Sequence, residues 1–208
     1  MCQVVANLDF ESVCEFGNQR YKGPGEFGSV KEWYEHLGCT DYVALDVNKE
    51  QDAIIADLNY PVDVGRTFDL VTNNGTGEHI FNQLAVFENA HNLSHKWMVH
   101  ILPMIPWLNH GFFNYHPILF RDLARANNYK ADIFLGNRWG ETARLKPKDL
   151  FPEKNARVLE KAADVLMKRG GVFVVAVFKH GDKGPFRMPF QGEYQKDIAD
   201  EKLKKRYK

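Results

Sequence analysis

Apolar residues in this chain alternate between short dense runs and longer stretches where they recur every three or four positions. The runs suit buried strands and the wider spacing suits amphipathic helices. The spacing predicts a first strand over 10–15, a Gly-rich loop (Gly17, Gly23, Gly25, Gly28), and a helix over about 29–37. Ser29 can cap that helix with Glu32 as its capping-box partner, and Gly38 ends it. Further strands are predicted over 42–45, 53–56 and 68–72, then a helix over about 78–93 with Ile80, Leu84, Phe87 and Ala90 at helical spacing. A fifth strand (97–102), an aromatic and His-rich loop, a helix (118–127) and a sixth strand (131–135) follow. The polar stretch 136–155 reads as a surface excursion, ahead of a helix over about 155–168 ended by Gly170 and Gly171. Residues 172–178 form a strongly apolar strand suited to a sheet interior. The charged tail, 197–208, is expected to be solvated or frayed.

Alternating strands and helices imply an α/β fold: a mostly parallel sheet with helices on both faces, joined by right-handed crossovers. The long insertion before the seventh strand is compatible with that strand running antiparallel.

The chain has 208 residues, 44% of them hydrophobic, enough for one sizeable core, and a single domain over 1–208 is expected. Lys plus Arg equals Asp plus Glu at 27 each, so the overall field attracts neither nucleic acid nor an anionic membrane. Three cysteines without CxxC spacing argue against a disulfide framework and a thiolate zinc site, and fit a reducing compartment. The N-terminal segment lacks the pattern of a secretory signal, and no apolar run approaches the roughly 20 residues of a membrane span. A cytoplasmic protein is expected.

The most informative stretch is TFDLVTNNGTGEHI, 67–80, where an apolar run gives way abruptly to small and polar residues. Ligands of open α/β sheets bind outside the carboxyl ends of the strands. An ordinary strand-to-helix connection would look similar. Asp46 and Asp57 close the preceding two strands in the same way.

In their order, VCEFGNQ (13–19), YVALDVN (42–48), AIIADLN (53–59), FDLVTNNGTGEHI (68–80) and the closing strand with PFQGEY (189–194) resemble class I S-adenosylmethionine-dependent methyltransferases of the small-molecule type. The resemblance implies a Rossmann-like, seven-stranded, mostly parallel sheet with the last strand antiparallel, and S-adenosylmethionine as cofactor. It assigns Glu15 and Gly17 to the loop approaching the methionine portion of that cofactor. The usual glycine-spaced ExGxGxG is reduced to one early glycine, and Asn18 and Gln19 could supply side-chain hydrogen bonds instead or be plain turn residues. Asp46 falls at the ribose-binding position, where a carboxylate accepts hydrogen bonds from a diol; a loop or capping role is the alternative. Asp57 and Leu58 match an adenine contact, or a solvated turn. Asn73, Asn74 and Gly75 align with the motif facing the methyl donor and acceptor, or make a local asparagine turn.

Methyl transfer from a sulfonium requires alignment of donor and acceptor, and a base where the nucleophile is a hydroxyl. His110, His100 and Asn114 are the candidates, in and beside the loop 103–117 with its many aromatic residues. His110 leads, because Asn109 and Gly111 flank it; His100 could instead be a strand histidine whose bonds are already satisfied. No metal site is expected: His91 and His95 are four apart but lack the glutamate of HExxH.

The leading functional expectation is a methyltransferase for a small-molecule acceptor at oxygen or nitrogen. The fourth strand end lacks NPPY or DPPY, and neutral charge gives no nucleic-acid footprint. A catalytically inactive methyltransferase-like binding or structural module is the alternative, and a nicotinamide-dependent oxidoreductase ranks behind it because GxGxxG is absent. With little chain ahead of the first strand to cover the cofactor, a homodimer could supply the cover.

Overall fold

The computed structural model describes residues 2–23, 25–50, 53–137, 139–146, 152–168, 170–192 and 194–207. Contacts divide the chain into two compact units, Met1–Leu102 and Pro103–Lys208.

The first unit begins with a short helix, α1 (Cys2–Ala6), that the hydrophobic pattern does not predict. Next come β1 (Ser12–Phe16), α2 (Val30–His36), β2 (Asp41–Asp46), β3 (Ile54–Ile55), β4 (Phe68–Asn74), α3 (Gln83–Leu93) and β5 (Ser94–Ile105), which ends just past the unit boundary. These strands pair in parallel in the order β3-β2-β1-β4-β5. Side chains alternate across the pleat, so the register defines two faces. Glu15, Tyr42, Asp46 and Thr72 share one, and Phe16, Leu45, Asn73 and His100 the other. Helix α2 covers the first face, where the Tyr34 hydroxyl donates to Thr72 Oγ1 (3.3 Å). Helix α3 covers the second, where Phe87 packs on the His100 ring. Burial on both faces explains why β1 and β4 read as continuous apolar runs and not as alternating ones.

The second unit contains α4 (Pro117–Ala126), β6 (Lys130–Asn137), β7 (Thr142–Leu145), α5 (Pro152–Met167), β8 (Val172–Lys179) and α6 (Glu201–Lys205). Its strands run in the order β8-β6-β7, and β6 is antiparallel to both neighbours. Helices α4 and α5 pack against β6 and β8. The chain is a mixed α/β fold with a largely parallel sheet flanked by helices, and its last strand joins β6 antiparallel, as the resemblance implies and the long insertion before it allows. Among the described residues no helix is long and apolar enough to cross a membrane.

Several boundaries differ from expectation, each for a local reason. β4 runs through Asn74, because Asn73 is buried in the sheet and does not turn; the turn begins at Gly75, whose φ of 66° suits glycine. The helix predicted from 78 is split into a 3-10 turn over Gly77–His79 and α3 from Gln83. Asn82 caps α3 by accepting from the Ala85 amide and is itself tied to Asn59. The buried residues of α3 are therefore Ala85, Val86, Phe87, Asn89, Ala90, His91 and Leu93, and Leu84 points to solvent. The expected surface excursion holds β7, which pairs with β6 from Gly136 to Ile133; residues 138 and 147–151 of that stretch lie outside the described residues. The tail forms a 3-10 turn and α6, capped by Asp200.

The capping prediction at α2 corresponds to a bond: Ser29 Oγ accepts from the Glu32 amide (3.1 Å), while the Glu32 carboxylate reaches back to the Gly28 amide (2.8 Å). Ser29→Ala is expected to destabilise the protein by about 1 kcal/mol in urea unfolding, leaving the slope of the transition unchanged.

Candidate functional site at the carboxyl ends of the first unit's strands

Parallel pairing brings the carboxyl ends of β1 to β4 to one edge of the first unit. From β1 the chain moves outward through β2 to β3, then returns to place β4 on the other side of β1. The connections leaving β1 and β4 therefore diverge, which opens a crevice between the two strand ends. The loops bordering it carry Gly17, Asn18 and Gln19 on one side and Gly75 to Glu78 on the other.

Gly17 has a φ of 78° and no room for a side chain, since a Cβ there would collide with Thr76. Thr76 Oγ1 donates to the Phe16 carbonyl (2.7 Å) and accepts from Gln19 Nε2 (3.1 Å), tying the loop after β4 to the loop after β1. The Asn18 amide donates to Asp46 Oδ2 (2.7 Å), and its side-chain amide donates to the Glu50 carbonyl. Asp46 Oδ1 accepts from the backbone and side chain of Asn48 (3.1 and 3.0 Å). A carboxylate offers about four acceptor directions, so half-buried Asp46 retains capacity for a ligand hydroxyl through Oδ2.

Glu15 lies directly beneath this edge, 1% exposed. Its Oε2 accepts from the Tyr42 hydroxyl at 2.6 Å, and its carboxylate also receives the Gln19 backbone amide. Burial pushes the Glu15 pKa up to about 7, against the opposing pull of those two donors. Burial and the neighbouring Glu15 carboxylate push the Tyr42 phenol upward, so it remains a donor. Tyr42 and Thr76 escaped the sequence reading. The signals available were Tyr42's position four residues before Asp46, on the same face of a strand, and Thr76's place between two glycines.

Asp57 is exposed and forms a local turn, its Oδ1 accepting from the Asn59 backbone and side chain (2.9 and 2.8 Å), which hold its carboxyl below the usual range. Leu58 beside it is buried. On the opposite face, Asn73 is fully buried. Its Oδ1 accepts from the Gly77 amide (2.9 Å), which fixes the orientation of the side chain and leaves Nδ2 to donate to His100 Nδ1 (3.3 Å). His100 Nδ1 is therefore unprotonated. Burial alone pushes the His100 pKa down to about 3. His100 is thus placed in the core as a neutral acceptor that braces Asn73, the satisfied strand histidine of the two readings, whereas a base needs a pKa near the working pH. Asn74, half-buried, ends β4, and the Gly75 amide donates to the Ile101 carbonyl (3.0 Å). His95 lies on β5 and not on a helix face with His91; it pairs with Asp69 at 2.9 Å.

The second unit carries His110 and Asn114 on the loop following β5. Trp107 anchors that loop: its indole donates to the Val172 carbonyl (3.0 Å), packs on Phe173, and fills space that only a glycine at 171 leaves open. The half-exposed His110 ring packs on Trp107 with centroids 5.3 Å apart, between Asn109 and Gly111, which both take positive φ. Asn114 is exposed. At the loop's end, His116 Nδ1 caps α4 by accepting from the Ile118 amide (3.2 Å). His116, Ile118, Leu119, Asp122, Pro189 and Gln191 line a cavity of about 430 Å³.

The sequence matches no protein-family model and no curated protein. Solved structures do resemble it. A candidate methyltransferase of Bacillus halodurans C-125 is 11% identical, with 86% of this chain and 96% of that one covered and a TM-score of 0.52. The plantazolicin methyltransferase BpumL, solved in complex with SAH, is 10% identical, with 86% and 80% covered and a TM-score of 0.51. The likeness is one of fold: the chain has an α/β architecture shared with methyltransferases.

Glu15 supplies a measurable signature of the site. Its folded-state pKa lies above the unfolded value near 4.5, so the folded protein holds this proton more tightly, and stability falls as pH rises from about 4.5 to about 7. The loss approaches ~3 kcal/mol at most and levels off above that window. Glu15→Gln keeps an acceptor for Tyr42 and is expected to flatten this part of the pH profile, measured by urea unfolding across the window.

Proposed function

We propose that the protein is an S-adenosylmethionine-dependent methyltransferase acting at oxygen or nitrogen of a small molecule. The observation that carries this reading is the switch in strand order between β1 and β4, bordered by a left-handed glycine at 17 and by a strand-end carboxylate, Asp46, with capacity to spare. Asp46 would hold a ribose hydroxyl. Asp57 and Leu58 would meet the adenine, the buried leucine packing beside the exposed carboxylate. Gly17, Asn18 and Gln19, with Glu15 beneath them, would border the methionine portion, and Asn74 and Gly75 the reacting end. When bound, the cofactor supplies an electrophilic methyl group on a positively charged sulfur.

The chain's own residues must then orient the acceptor and take its proton. His110 is assigned the proton and Asn114 the orientation of the acceptor heteroatom, through an amide that offers both a donor and an acceptor. Asn73 and His100 act by bracing: the Asn73 side chain holds the Gly77 amide and so shapes the loop after β4 from within.

A catalytically inactive methyltransferase-like binding or structural module is the second reading. It is favoured by the reduced glycine motif at 17–19.

Titration calorimetry with S-adenosylmethionine and S-adenosylhomocysteine separates the two readings. Binding of both is expected, with Asp46→Ala weakening it about tenfold, the equivalent of one charge-assisted hydrogen bond. No heat from either ligand would sink the enzyme reading. Once an acceptor is known, His110→Ala is expected to lower kcat about a hundredfold or more while leaving S-adenosylhomocysteine affinity unchanged.

A further inference from the structure

We propose that Tyr42 is a positioning residue for the cofactor loop, its hydroxyl acting through the Glu15 carboxylate to set the backbone between Gly17 and Gln19. The inference rests on the cofactor reading above for its functional meaning, but its geometry stands by itself.

The hydrogen bonds form one continuous path. Tyr42 Oη donates to Glu15 Oε2 at 2.6 Å, and the same carboxylate accepts the Gln19 amide. The Gln19 side chain donates to Thr76 Oγ1, and Thr76 donates to the Phe16 carbonyl. The path starts inside the sheet on β2, passes under the crevice, and ends by joining the loops on its two sides. Thr76 also occupies the space against Gly17, so Gln19 and Gly17 share one partner.

Tyr42 reaches Glu15 because the register pairs Val13 with Tyr42 and Glu15 with Ala44, which places the phenol one step along the same face as the carboxylate. The Tyr34 ring of α2 lies 5.6 Å from the Tyr42 ring and presses it onto the sheet. An exposed tyrosine at this position would be free to rotate; this one is held. The groups facing the carboxylate are the Tyr42 phenol from β2, the Gln19 amide from the loop and Thr72 alongside on β4, which accepts from Tyr34 of α2; the Cys14 thiol lies on the opposite face of β1.

The state of Glu15 decides whether the path is intact. As a carboxylate it accepts from both donors; once protonated it loses acceptor capacity and gains a hydrogen that needs an acceptor of its own. Glu15 titrates near pH 7, so the loop's preferred geometry and its affinity for cofactor should improve as pH rises through neutrality. Removing the Tyr42 hydroxyl removes a bond that favours the charged form, which moves this transition to higher pH.

The test follows the Glu15 carboxyl carbon and the Gln19 amide by NMR as pH is raised, and S-adenosylhomocysteine binding by calorimetry at about pH 6, 7 and 8, in wild type and Tyr42→Phe. In wild type the two NMR signals should titrate together. In Tyr42→Phe both midpoints should move up together, with affinity falling about tenfold at neutral pH and recovering at the alkaline end. Glu15→Gln, which keeps the carbonyl acceptor, should remove the pH dependence of binding altogether and serves if Tyr42→Phe fails to fold. A Gln19 amide that ignores the Glu15 titration overturns the proposal. So does a Tyr42→Phe protein that loses affinity equally at every pH, since that is the signature of lost packing. Absence of S-adenosylhomocysteine binding in wild type would remove the cofactor reading, while the NMR titration still decides whether Tyr42 positions the loop.

Discussion

A carboxylate removed from water must be met by donors, because an unpaired buried charge costs several kcal/mol. Glu15 sits at the carboxyl end of the central strand of the first unit, and the donors that meet it come from a neighbouring strand and from the loop that leaves its own strand. The need to satisfy this one group fixes where the chain goes after β1. Gln19 must fold back to bring its amide to the carboxylate, Gly17 must take a left-handed conformation to allow that, and Thr76 can then pack against the bare glycine backbone. What borders the crevice on both sides is a consequence of a bond made underneath it.

The other face of the same strands repeats the logic without charge. Asn73 divides its amide between the Gly77 backbone and the His100 ring, so the loop after β4 is held from below by a neutral pair. Charged and neutral supports thus lie on opposite sides of one sheet, each under one of the two loops. The difference has a functional sense: the charged support can respond to pH near neutrality, whereas the imidazole, with its pKa pushed far down, stays neutral throughout the same range.

Much of the fold was legible in the chain. Continuous apolar runs marked strands covered on both faces, Ser29 and Glu32 marked the start of α2, and Gly38 its end. Of the candidate site, Gly17, Asn18, Gln19 and Asp46 are brought together by direct hydrogen bonds or close packing. Asp57 holds its own turn with Asn59, and His100 is drawn into the core. The break between Gly77 and Gln83 was missed because Ile80 and Phe87 keep helical spacing across it. The bond from Asn82 to Asn59 that starts α3 afresh joins residues 23 positions apart. Likewise β7 is a strand only because β6 lies alongside it; its own residues, Thr142 to Leu145, carry too little apolar pattern to announce one.

The sequence by itself determined what periodicity and local bonding can encode: the alternation of elements, the helix caps, and the placement of small and acidic residues at successive strand ends. These depend on neighbours within a few positions along the chain. The tertiary structure alone decided which residue types would act as supports and which as surface. Tyr42 became a donor to Glu15, and His100 a neutral acceptor for Asn73, because strand register set them side by side across 27 positions of sequence in each case and burial then fixed their protonation. A side chain's charge state is a property of the dielectric and the donors around it, and those are assembled only when distant strands pair.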